Sequence, residues 1–306
     1  MEAFLKVGFA GAGAVGCHYG SKLKQAGYDV CLLARGAHLA ALQGQGLLHE
    51  SDGKQTRVQI KASSDVGALA DCQVIVLSCK MTGLDAMLAA LAPVVNAQML
   101  LVTLQNGVEA PDRVAQAFPS TAVVAGSAFI GARLEQPGYL IHSAAGGMRL
   151  GHWQQGAGEH LLTPLLAAFN AAHVPASEDD NAAAMVWRKL LWNCGFNAIT
   201  ALTRRFAKDM AAGEETLAVV RQAMAETVAV AQKLGIAIAE QDIDKHIQVT
   251  LQMGPVKTSM WQDMEAGHPT EVDFLNGYVA QMGEKLGVAS QTNRLLTTLV
   301  HALEGR

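Results

Sequence analysis

The sequence predicts an α/β fold: an N-terminal domain built on a parallel sheet, residues 1–177, followed by an all-helical domain, residues 178–306. Three observations support this prediction. Short apolar runs alternate with helical patterns in the first half, and a glycine-rich turn joins the first run to the first helix. After "SEDDNAAA" at 177–184, the helical pattern continues to the C-terminus. Alternating strands and helices are typical of a parallel sheet, because each parallel connection needs a crossover segment.

Composition favours a cytoplasmic protein with substantial hydrophobic cores. Of the 306 residues, 50% are hydrophobic and only 16% are charged. The net charge of -4 argues against nucleic-acid binding, and no apolar run reaches the roughly 20 residues that span a bilayer. The five cysteines are scattered without a CxxC pair, so neither a zinc site nor a disulfide framework is predicted. We therefore expect reduced thiols and neither nucleic-acid nor membrane partners.

The glycine-rich turn lies between a predicted strand, "LKVGFAGAG", and a predicted helix, "AVGCHYGSKLKQAG", which leads to a second strand, "YDVCLLAR". In this context a GxGxxG pattern predicts a Rossmann-type dinucleotide turn rather than an ordinary glycine turn. Gly11 would allow the tight turn, Gly13 the approach of a pyrophosphate, and Gly16 close packing of the helix. The predicted phosphate-binding segment is therefore Gly11, Ala12, Gly13, Ala14, Val15 and Gly16.

The second strand ends in Arg35, where dinucleotide folds that prefer NAD usually place Asp or Glu. A carboxylate at that point binds the ribose 2′-hydroxyl but would repel a 2′-phosphate. A guanidinium can instead form a bidentate pair with phosphate. We therefore interpret Arg35 as the residue that selects NADPH. The alternative is an arginine in a solvent-exposed loop without a ligand.

Two further apolar runs end in polar residues. The run "CQVIVLSCK" at 72–80 ends in Lys80, and "AQMLLVTLQNG" at 97–107 ends in an Asn-Gly pair that contains Asn106. Open parallel sheets bind ligands beyond the carboxyl ends of their strands, so both residues are expected on the cofactor side. Position alone leaves two alternatives open, a strand-end lysine in solvent and a simple Asn-Gly turn.

The helix predicted at 185–202, "MVWRKLLWNCGFNAITAL", has a polar stripe on an apolar background. Lys189, Asn193 and Asn197 are spaced four apart and therefore lie on one face. A lysine and two asparagines on such a helix need buried partners or a solvent-filled cleft. The alternative is a stripe that faces bulk solvent, although exposed faces more often carry Glu and Lys than Asn. From the helix alone both interpretations remain open.

A second polar cluster follows at 257–277, "KTSMWQDMEAGHPTEVDFLNG". It contains Ser259, and Glu271 comes after a Gly-His-Pro break. Thr270 and Asp273 match a capping box, so Glu271 could simply serve the dipole of a helix that begins here. The histidines of the chain are scattered without metal-ligand spacing, and no nucleophile motif such as GxSxG occurs. No metal site is predicted.

Together these segments resemble the ketopantoate reductases (2-dehydropantoate 2-reductases) along nearly the whole chain. The resemblance rests on "GAGAVG" at 11–16, "LLAR" ending at Arg35, "SCK" at 78–80, "LQNGVE" at 104–109, "WRKLLWNCGFNAITAL" at 187–202 and "SMWQDMEAGHPTEVDFLNG" at 259–277. The first segment is shared by many dehydrogenases, whereas the last two, in this order, are more specific. The family implies a Rossmann-type domain followed by a helical domain, as the sequence pattern already predicts.

The resemblance also implies a reaction and roles for residues. The reaction is NADPH-dependent reduction of the ketone of 2-dehydropantoate to (R)-pantoate, on the route to pantothenate and coenzyme A. Lys189 would be the general acid, and Glu271 would orient it or bind a substrate hydroxyl. The 2-keto acid would be bound by Asn106, Asn193, Asn197 and Ser259, and the cofactor by residues 11–16, Arg35, Lys80 and Asn106.

The stretch "TRRFAKDM" at 203–210 keeps other functions open. Many members of the family have a further substrate-binding asparagine here. Its absence favours, as one alternative, a paralogous NADPH-dependent reductase of another 2-keto acid. The other alternative is a non-catalytic, NADPH-binding regulatory protein, which the presence of both Lys189 and Glu271 argues against. The apolar C-terminal helices leave the oligomeric state open, with a homodimer among the alternatives.

Overall fold

The computed structural model describes residues 5–306, and the chain divides into two compact units. The first comprises Met1–Gln105 and Glu109–Ala182, and the second comprises Asn106–Val108 and Ala183–Arg306. The domain boundary predicted between residues 177 and 178 lies inside a short strand at Ala176–Glu178. Because this strand pairs with the sheet of the first unit, that unit extends to the start of the following long helix.

The described part of the first unit contains ten strands and five α-helices. The strands are β1 (Lys6–Ala10), β2 (Asp29–Leu33), β3 (Leu47–Ser51), β4 (Lys54–Val58), β5 (Lys61–Ser63), β6 (Val74–Leu77), β7 (Leu100–Thr103), β8 (Ala122–Gln136), β9 (Tyr139–Gln154) and β10 (Ala176–Glu178). The α-helices are α1 (Ala14–Gln25), α2 (Gly36–Gln45), α3 (Leu84–Leu91), α4 (Ala110–Ala117) and α5 (Leu162–Ala171). Short 3-10 turns occur at Val66–Leu69, Met81–Gly83 and Ala157–Leu161.

These strands form one sheet in the order β4-β3-β9-β8-β7-β6-β1-β2-β5, with β10 paired to β9. The neighbours from β5 through β2, β1, β6 and β7 to β8 pair in parallel. The β8–β9 and β3–β4 pairs are antiparallel. Every residue of β6 and β7 is buried, as expected for parallel strands that are covered on both faces. The predicted Rossmann-type α/β domain is thereby confirmed.

The carboxyl ends of the central strands lie level with one another. In the parallel registers Ala10 lies opposite Leu77, and Leu77 lies opposite Thr103. The glycine turn after β1 and the loops after β6 and β7 therefore start at the same edge of the sheet. Across this edge the Ser78 hydroxyl donates a hydrogen bond of 2.7 Å to the Gly11 carbonyl oxygen. Ligands of open α/β sheets bind at such an edge.

The second unit is helical, as predicted. Its α-helices are α6 (Ala182–Thr203), α7 (Ala207–Ala212), α8 (Glu214–Lys233), α9 (Glu240–Leu251), α10 (Ser259–Glu265), α11 (Asn276–Leu286) and α12 (Gln291–Glu304), with a 3-10 turn at Val272–Phe274. Helix α6 buries Trp187, Leu190, Leu191 and Phe196, the apolar residues that flank its polar stripe. Of the helices in residues 5–306, none has the length and apolar character needed to cross a membrane.

Candidate active site

The glycine turn after β1 is closed on the side of the sheet and open toward solvent. A Cβ atom on Gly11 would lie 2.5 Å from the Cys79 nitrogen, and one on Gly16 would lie 2.1 Å from the Gly11 carbonyl oxygen. Gly13 is exposed, and a Cβ atom on it would meet no atom within 4 Å. The fold therefore needs glycine at positions 11 and 16 for its own packing. At Gly13 the open space is available to a ligand.

Helix α1 begins directly behind this turn and presents an N-terminus without a side-chain cap. Gly13 is its N-cap residue, and the first turn carries no acidic residue. The first N–H groups of a helix have no partner inside the helix, and the helix dipole adds partial positive charge at this end. Ala14, Val15 and Gly16 supply these groups, so residues 11–16 fit the pyrophosphate of a dinucleotide.

Arg35 lies immediately after β2, close to the glycine turn. The Ala12 N–H donates to the Leu33 carbonyl oxygen at 2.8 Å, which holds the turn against the end of β2. Arg35 is exposed at the N-cap of α2, and its guanidinium has no hydrogen bond or ion pair with residues 5–306. It is therefore available to a phosphate on the adenosine ribose. Lys80, also exposed, begins the 3-10 turn after β6.

Asn106 lies beyond the end of β7 and belongs, with Gly107 and Val108, to the helical unit. Its Nδ2 donates a hydrogen bond of 3.1 Å to Glu271 Oε2. Gly107 permits this approach, because its φ is +88° and a Cβ atom on it would lie 2.7 Å from the Phe274 carbonyl oxygen. The Asn-Gly pair is thus more than a simple turn, since it places an amide against a carboxylate from a distant part of the sequence.

Lys189 and Glu271 are the charged residues near Asn106. As a residue Lys189 is half-buried, but its ammonium group is enclosed by protein. This burial lowers the pKa of Lys189 to about 8, and the negative charge of Glu271 partly opposes the decrease. Glu271 is itself only 8% exposed. The structure therefore brings Asn106, Lys189 and Glu271 together.

The segment around Glu271 begins a 3-10 turn instead of an α-helix, and the capping box predicted for Thr270 and Asp273 does not form. Glu271 precedes the 3-10 turn, and α11 starts only at Asn276. Asp273, predicted as the second member of a capping box with Thr270, instead accepts a hydrogen bond of 2.8 Å from His301. Its carboxylate also lies 3.1 Å from the Arg306 guanidinium.

Asn193 and Asn197 continue the stripe from Lys189 and are 4% and 2% exposed, so the stripe does not face bulk solvent. Asn197 Nδ2 donates to Asn193 Oδ1 at 3.3 Å. Within the described residues, Asn193 Nδ2 and Asn197 Oδ1 have no partner. Exchanging oxygen and nitrogen in both amides would reverse the bond and still leave one donor and one acceptor open. Because buried polar atoms are normally paired, these atoms are candidates for contacts with a substrate.

Ser259 is the exposed first residue of α10. The residue before it, Thr258, has its hydroxyl 2.7 Å from the hydroxyl of Thr200 on α6. Since Thr200 lies one turn beyond Asn197, this bond ties the start of α10 to the end of the polar stripe. Thr200 and Thr258 are not among the predicted site residues, because hydrophobic periodicity contains no signal for a contact between them.

Known proteins resemble this chain over nearly its whole length. Two family models match it, "Ketopantoate reductase PanE/ApbA" over residues 7–155 and "Ketopantoate reductase PanE/ApbA C terminal" over residues 181–304. A 2-dehydropantoate 2-reductase of Streptococcus pyogenes serotype M6 is 31% identical over 301 residues, which cover 96% of each chain. A crystal structure of a PanE/ApbA family ketopantoate reductase from Ralstonia eutropha is 32% identical, with a TM-score of 0.90 and coverage of 98% of this chain and 99% of that one.

The chain belongs to the ketopantoate reductase family. This confirms the resemblance and the predicted class of enzyme, an oxidoreductase of the 2-dehydropantoate 2-reductase type. The family uses nicotinamide dinucleotides, and the open N-terminus of α1 fits such a cofactor. The ternary structure of D-mandelate dehydrogenase with NADH is also similar, with a TM-score of 0.92 over 98% of each chain. At 24% identity it shows a shared fold alone.

The loop after α6 is where this chain departs from the pattern expected for the family. Helix α6 ends at Thr203, and Arg204 adopts a positive φ of 55°. Arg204 and Arg205 are exposed, and the Arg204 guanidinium lies 3.8 Å from Glu265, which also pairs with Lys257 at 2.6 Å. The exposed side chains of this loop are therefore cationic, where the family pattern has the neutral amide of an asparagine.

Proposed function

We propose that this protein reduces the C2 ketone of 2-dehydropantoate to (R)-pantoate with NADPH, a step toward pantothenate and coenzyme A. The observation that carries the proposal is the arrangement of Lys189, Glu271 and Asn106 on the same unit as two buried asparagine amides with open hydrogen-bonding atoms. Reduction of a keto acid needs a cation near the developing alkoxide and donors for the carboxylate. When bound, NADPH supplies the hydride that adds to the carbonyl carbon.

Lys189 is the proposed general acid. As the carbonyl carbon is reduced, the electron pair of the C=O bond moves to oxygen, and Lys189 Nζ gives that oxygen a proton to complete the hydroxyl. A pKa of about 8 suits this role. The side chain is mostly protonated at neutral pH, yet it releases its proton more readily than a lysine in water. Solvent then returns a proton to the neutral amine.

Glu271 keeps Lys189 in its protonated form until the substrate is reduced. Burial of the ammonium group favours the neutral amine, and the charge of Glu271 acts against this tendency. Asn106 donates to one carboxylate oxygen of Glu271 and so restricts the orientation of the carboxylate. The three residues would thus set both the charge and the direction of the proton donor.

Substrate recognition is assigned to the asparagine pair and Ser259. A 2-keto acid brings a carboxylate, which needs donors, and 2-dehydropantoate also has a hydroxyl that can donate. The Asn193–Asn197 pair leaves one donor and one acceptor open, which matches these two needs. Ser259 at the start of α10 would add a further hydroxyl.

Arg35 is the residue proposed to select NADPH over NADH. Its exposed guanidinium would pair with the 2′-phosphate that distinguishes NADPH from NADH. The backbone of residues 11–16 would bind the pyrophosphate, which both cofactors share. Lys80 would contact the cofactor from the loop after β6.

A second candidate function is reduction of a different 2-keto acid, which the loop at 203–210 favours. Two exposed arginines replace the expected asparagine, so the distal part of the substrate would meet a different surface. The chemistry at Lys189 would be unchanged. Only the part of the substrate remote from the ketone would differ.

The proposal is tested by following NADPH oxidation by the purified protein with ketopantoate, pyruvate and a panel of branched 2-keto acids. Saturable oxidation with a clear preference for ketopantoate is the expected result. A preference for another keto acid would instead support the second candidate. Tight NADPH binding without turnover of any keto acid would contradict both and favour a regulatory role.

A further inference from the structure

Asn276 connects the two segments that contain the proposed catalytic pair. It is the first residue of α11 and is 0% exposed. Its Nδ2 donates to the Cys194 carbonyl oxygen on α6 at 2.9 Å and to Asn293 Oδ1 on α12 at 2.9 Å. Because Cys194 lies on the helix that carries Lys189, a single amide joins the start of α11 to that helix.

The chain between Glu271 and Asn276 is a compact, hydrogen-bonded turn. The Phe274 N–H donates to the Glu271 carbonyl oxygen at 3.0 Å, and the Leu275 N–H donates to the Val272 carbonyl oxygen at 3.2 Å. The side chains of Val272 and Leu275 are 0% and 1% exposed and anchor the turn in the core. A shift of Asn276 relative to α6 would therefore move Glu271 as well.

A buried network behind Asn276 fixes the direction of its amide. Asn293 Nδ2 donates to the Ala223 carbonyl oxygen at 3.0 Å and to Glu226 Oε2 at 2.8 Å, which leaves Asn293 Oδ1 as an acceptor. Glu226, 4% exposed, also accepts from the backbone N–H of Asn293 at 2.9 Å. The Cys194 carbonyl can only accept, so Asn276 must direct its NH2 group to both neighbours. Helices α6, α8 and α12 together determine its position.

We propose that Asn276 is a positioning residue that holds the Glu271 turn against α6 and so keeps Glu271 close to Lys189 during proton transfer. This inference rests on the proposed function. Asn276 does not contact the reacting atoms and acts through Glu271. If the turn moved away, the attraction between Glu271 and Lys189 would weaken with distance, while burial of the lysine would persist. The pKa of Lys189 would then fall further below its ordinary value.

The inference is tested with Asn276→Ala, which removes both hydrogen bonds, and with Asn276→Ser, a milder change that keeps a shorter donor. Thr297→Val is the matched control. Thr297 is buried in the same unit and donates to the Asn293 carbonyl oxygen at 2.8 Å, a bond that stays within α12. For each variant the measurements are thermal unfolding, the Kd for NADPH, and the pH dependence of kcat and kcat/KM with ketopantoate.

In the wild-type enzyme, activity is expected to fall as the pH rises through about 8, because Lys189 loses its proton. Both Asn276 variants should move the midpoint of this fall to lower pH and reduce kcat by roughly tenfold, the size of a typical coupling between contacting residues. The Kd for NADPH should not change. Glu271→Gln should cause the same movement, and adding Asn276→Ala to it should move the midpoint no further. Thr297→Val should lower only the melting temperature.

Two results would overturn the positioning role. One is a lower melting temperature with an unmoved midpoint in both Asn276 variants, which indicates a structural residue only. The other is a double variant in which the Glu271 and Asn276 effects simply add. Two other results would contradict the proposed function itself. One is a wild-type protein that turns over no keto acid. The other is a Lys189→Met variant whose activity still falls with the same pH midpoint as the wild type.

Discussion

The glycine turn and the Lys189 site are built in different ways. The turn at residues 11–16 acts through backbone atoms of one continuous segment, and its shape depends on the absence of side chains. The Lys189 site acts through side chains from three separate segments, which contain Asn106, α6 and Glu271. Substitutions in the two regions should therefore change different measurements. Those in the turn should change cofactor affinity, and those in the helical unit should change turnover.

Lys189→Met should show the largest difference between its effect on turnover and its effect on cofactor affinity. Loss of the proposed general acid should lower kcat by roughly 10²- to 10⁴-fold, while the Kd for NADPH stays near the wild-type value. Steady-state kinetics and a fluorescence titration with NADPH measure the two quantities. Lys233→Met, which alters an exposed lysine at the end of α8, is the control and should leave both unchanged. Turnover at the wild-type level in Lys189→Met would remove Lys189 from the mechanism.

Within the turn, Gly16→Ala and Gly13→Ala should differ although both add one methyl group. At Gly16 the new carbon would lie 2.1 Å from a backbone oxygen, so the melting temperature should fall and NADPH affinity should drop by at least about tenfold. At Gly13 the carbon meets no protein atom, so only affinity should drop. Thermal unfolding and NADPH titration distinguish the two. An unchanged affinity of Gly13→Ala for NADPH would indicate that the cofactor phosphates bind elsewhere.

Arg35→Ala should weaken the binding of NADPH much more than the binding of NADH. A charged hydrogen-bonding partner contributes enough that its loss should raise the Kd for NADPH by roughly 10- to 100-fold, with little change for NADH. Titrations with both cofactors measure this. Arg57→Ala, at another exposed arginine of the first unit, should leave both affinities unchanged. Equal losses of NADPH and NADH affinity in Arg35→Ala would contradict the selector role.

The smallest expected effect is on the pH dependence of stability in the first unit. His18 and His49 are 1% and 3% exposed, with ring centroids 5.1 Å apart. Burial, reinforced by the charges of neighbouring residues, lowers the pKa of His18 to about 2 and that of His49 to about 4. The unfolded chain takes up protons near the ordinary value of 6.5, where the folded chain does not.

Burial of these histidines therefore costs no stability above pH 6.5, and the free energy of unfolding decreases as the pH falls, toward about 4 for His49 and about 2 for His18. The melting temperature should be a few degrees lower near pH 5 than near pH 7, and His49→Gln should reduce this difference. His268→Gln, at an exposed histidine, is the control. Identical pH dependence in His49→Gln and wild type would show that His49 does not cause the loss of stability.

The parts of the molecule that local sequence patterns describe were predictable. The order strand, glycine turn, helix and strand led to the Rossmann-type unit, because each element depends on neighbouring residues. The end of β2 located Arg35 beside the turn for the same reason. The sequence did not indicate that Ala176–Glu178 would pair with the sheet, because so short a strand has little pattern of its own.

The side-chain site was predictable only in part. Four-residue spacing placed Lys189, Asn193 and Asn197 on one face, but it could not decide between burial and exposure. The bond from Asn106 to Glu271 joins residues 165 positions apart, and the Thr200–Thr258 and Asn276–Cys194 bonds also cross between elements. Such contacts follow from tertiary packing and leave no periodic signal in the sequence.

The proposed function requires this chain to direct hydride to the carbonyl carbon of ketopantoate. Its most direct test uses NADPH deuterated at the transferable position, with the product analysed by NMR and mass spectrometry. We predict (R)-pantoate with one deuterium at C2, formed by the wild-type protein and roughly 10²- to 10⁴-fold more slowly by Lys189→Met. Tight binding of the labelled cofactor with no deuterated pantoate would contradict the claim.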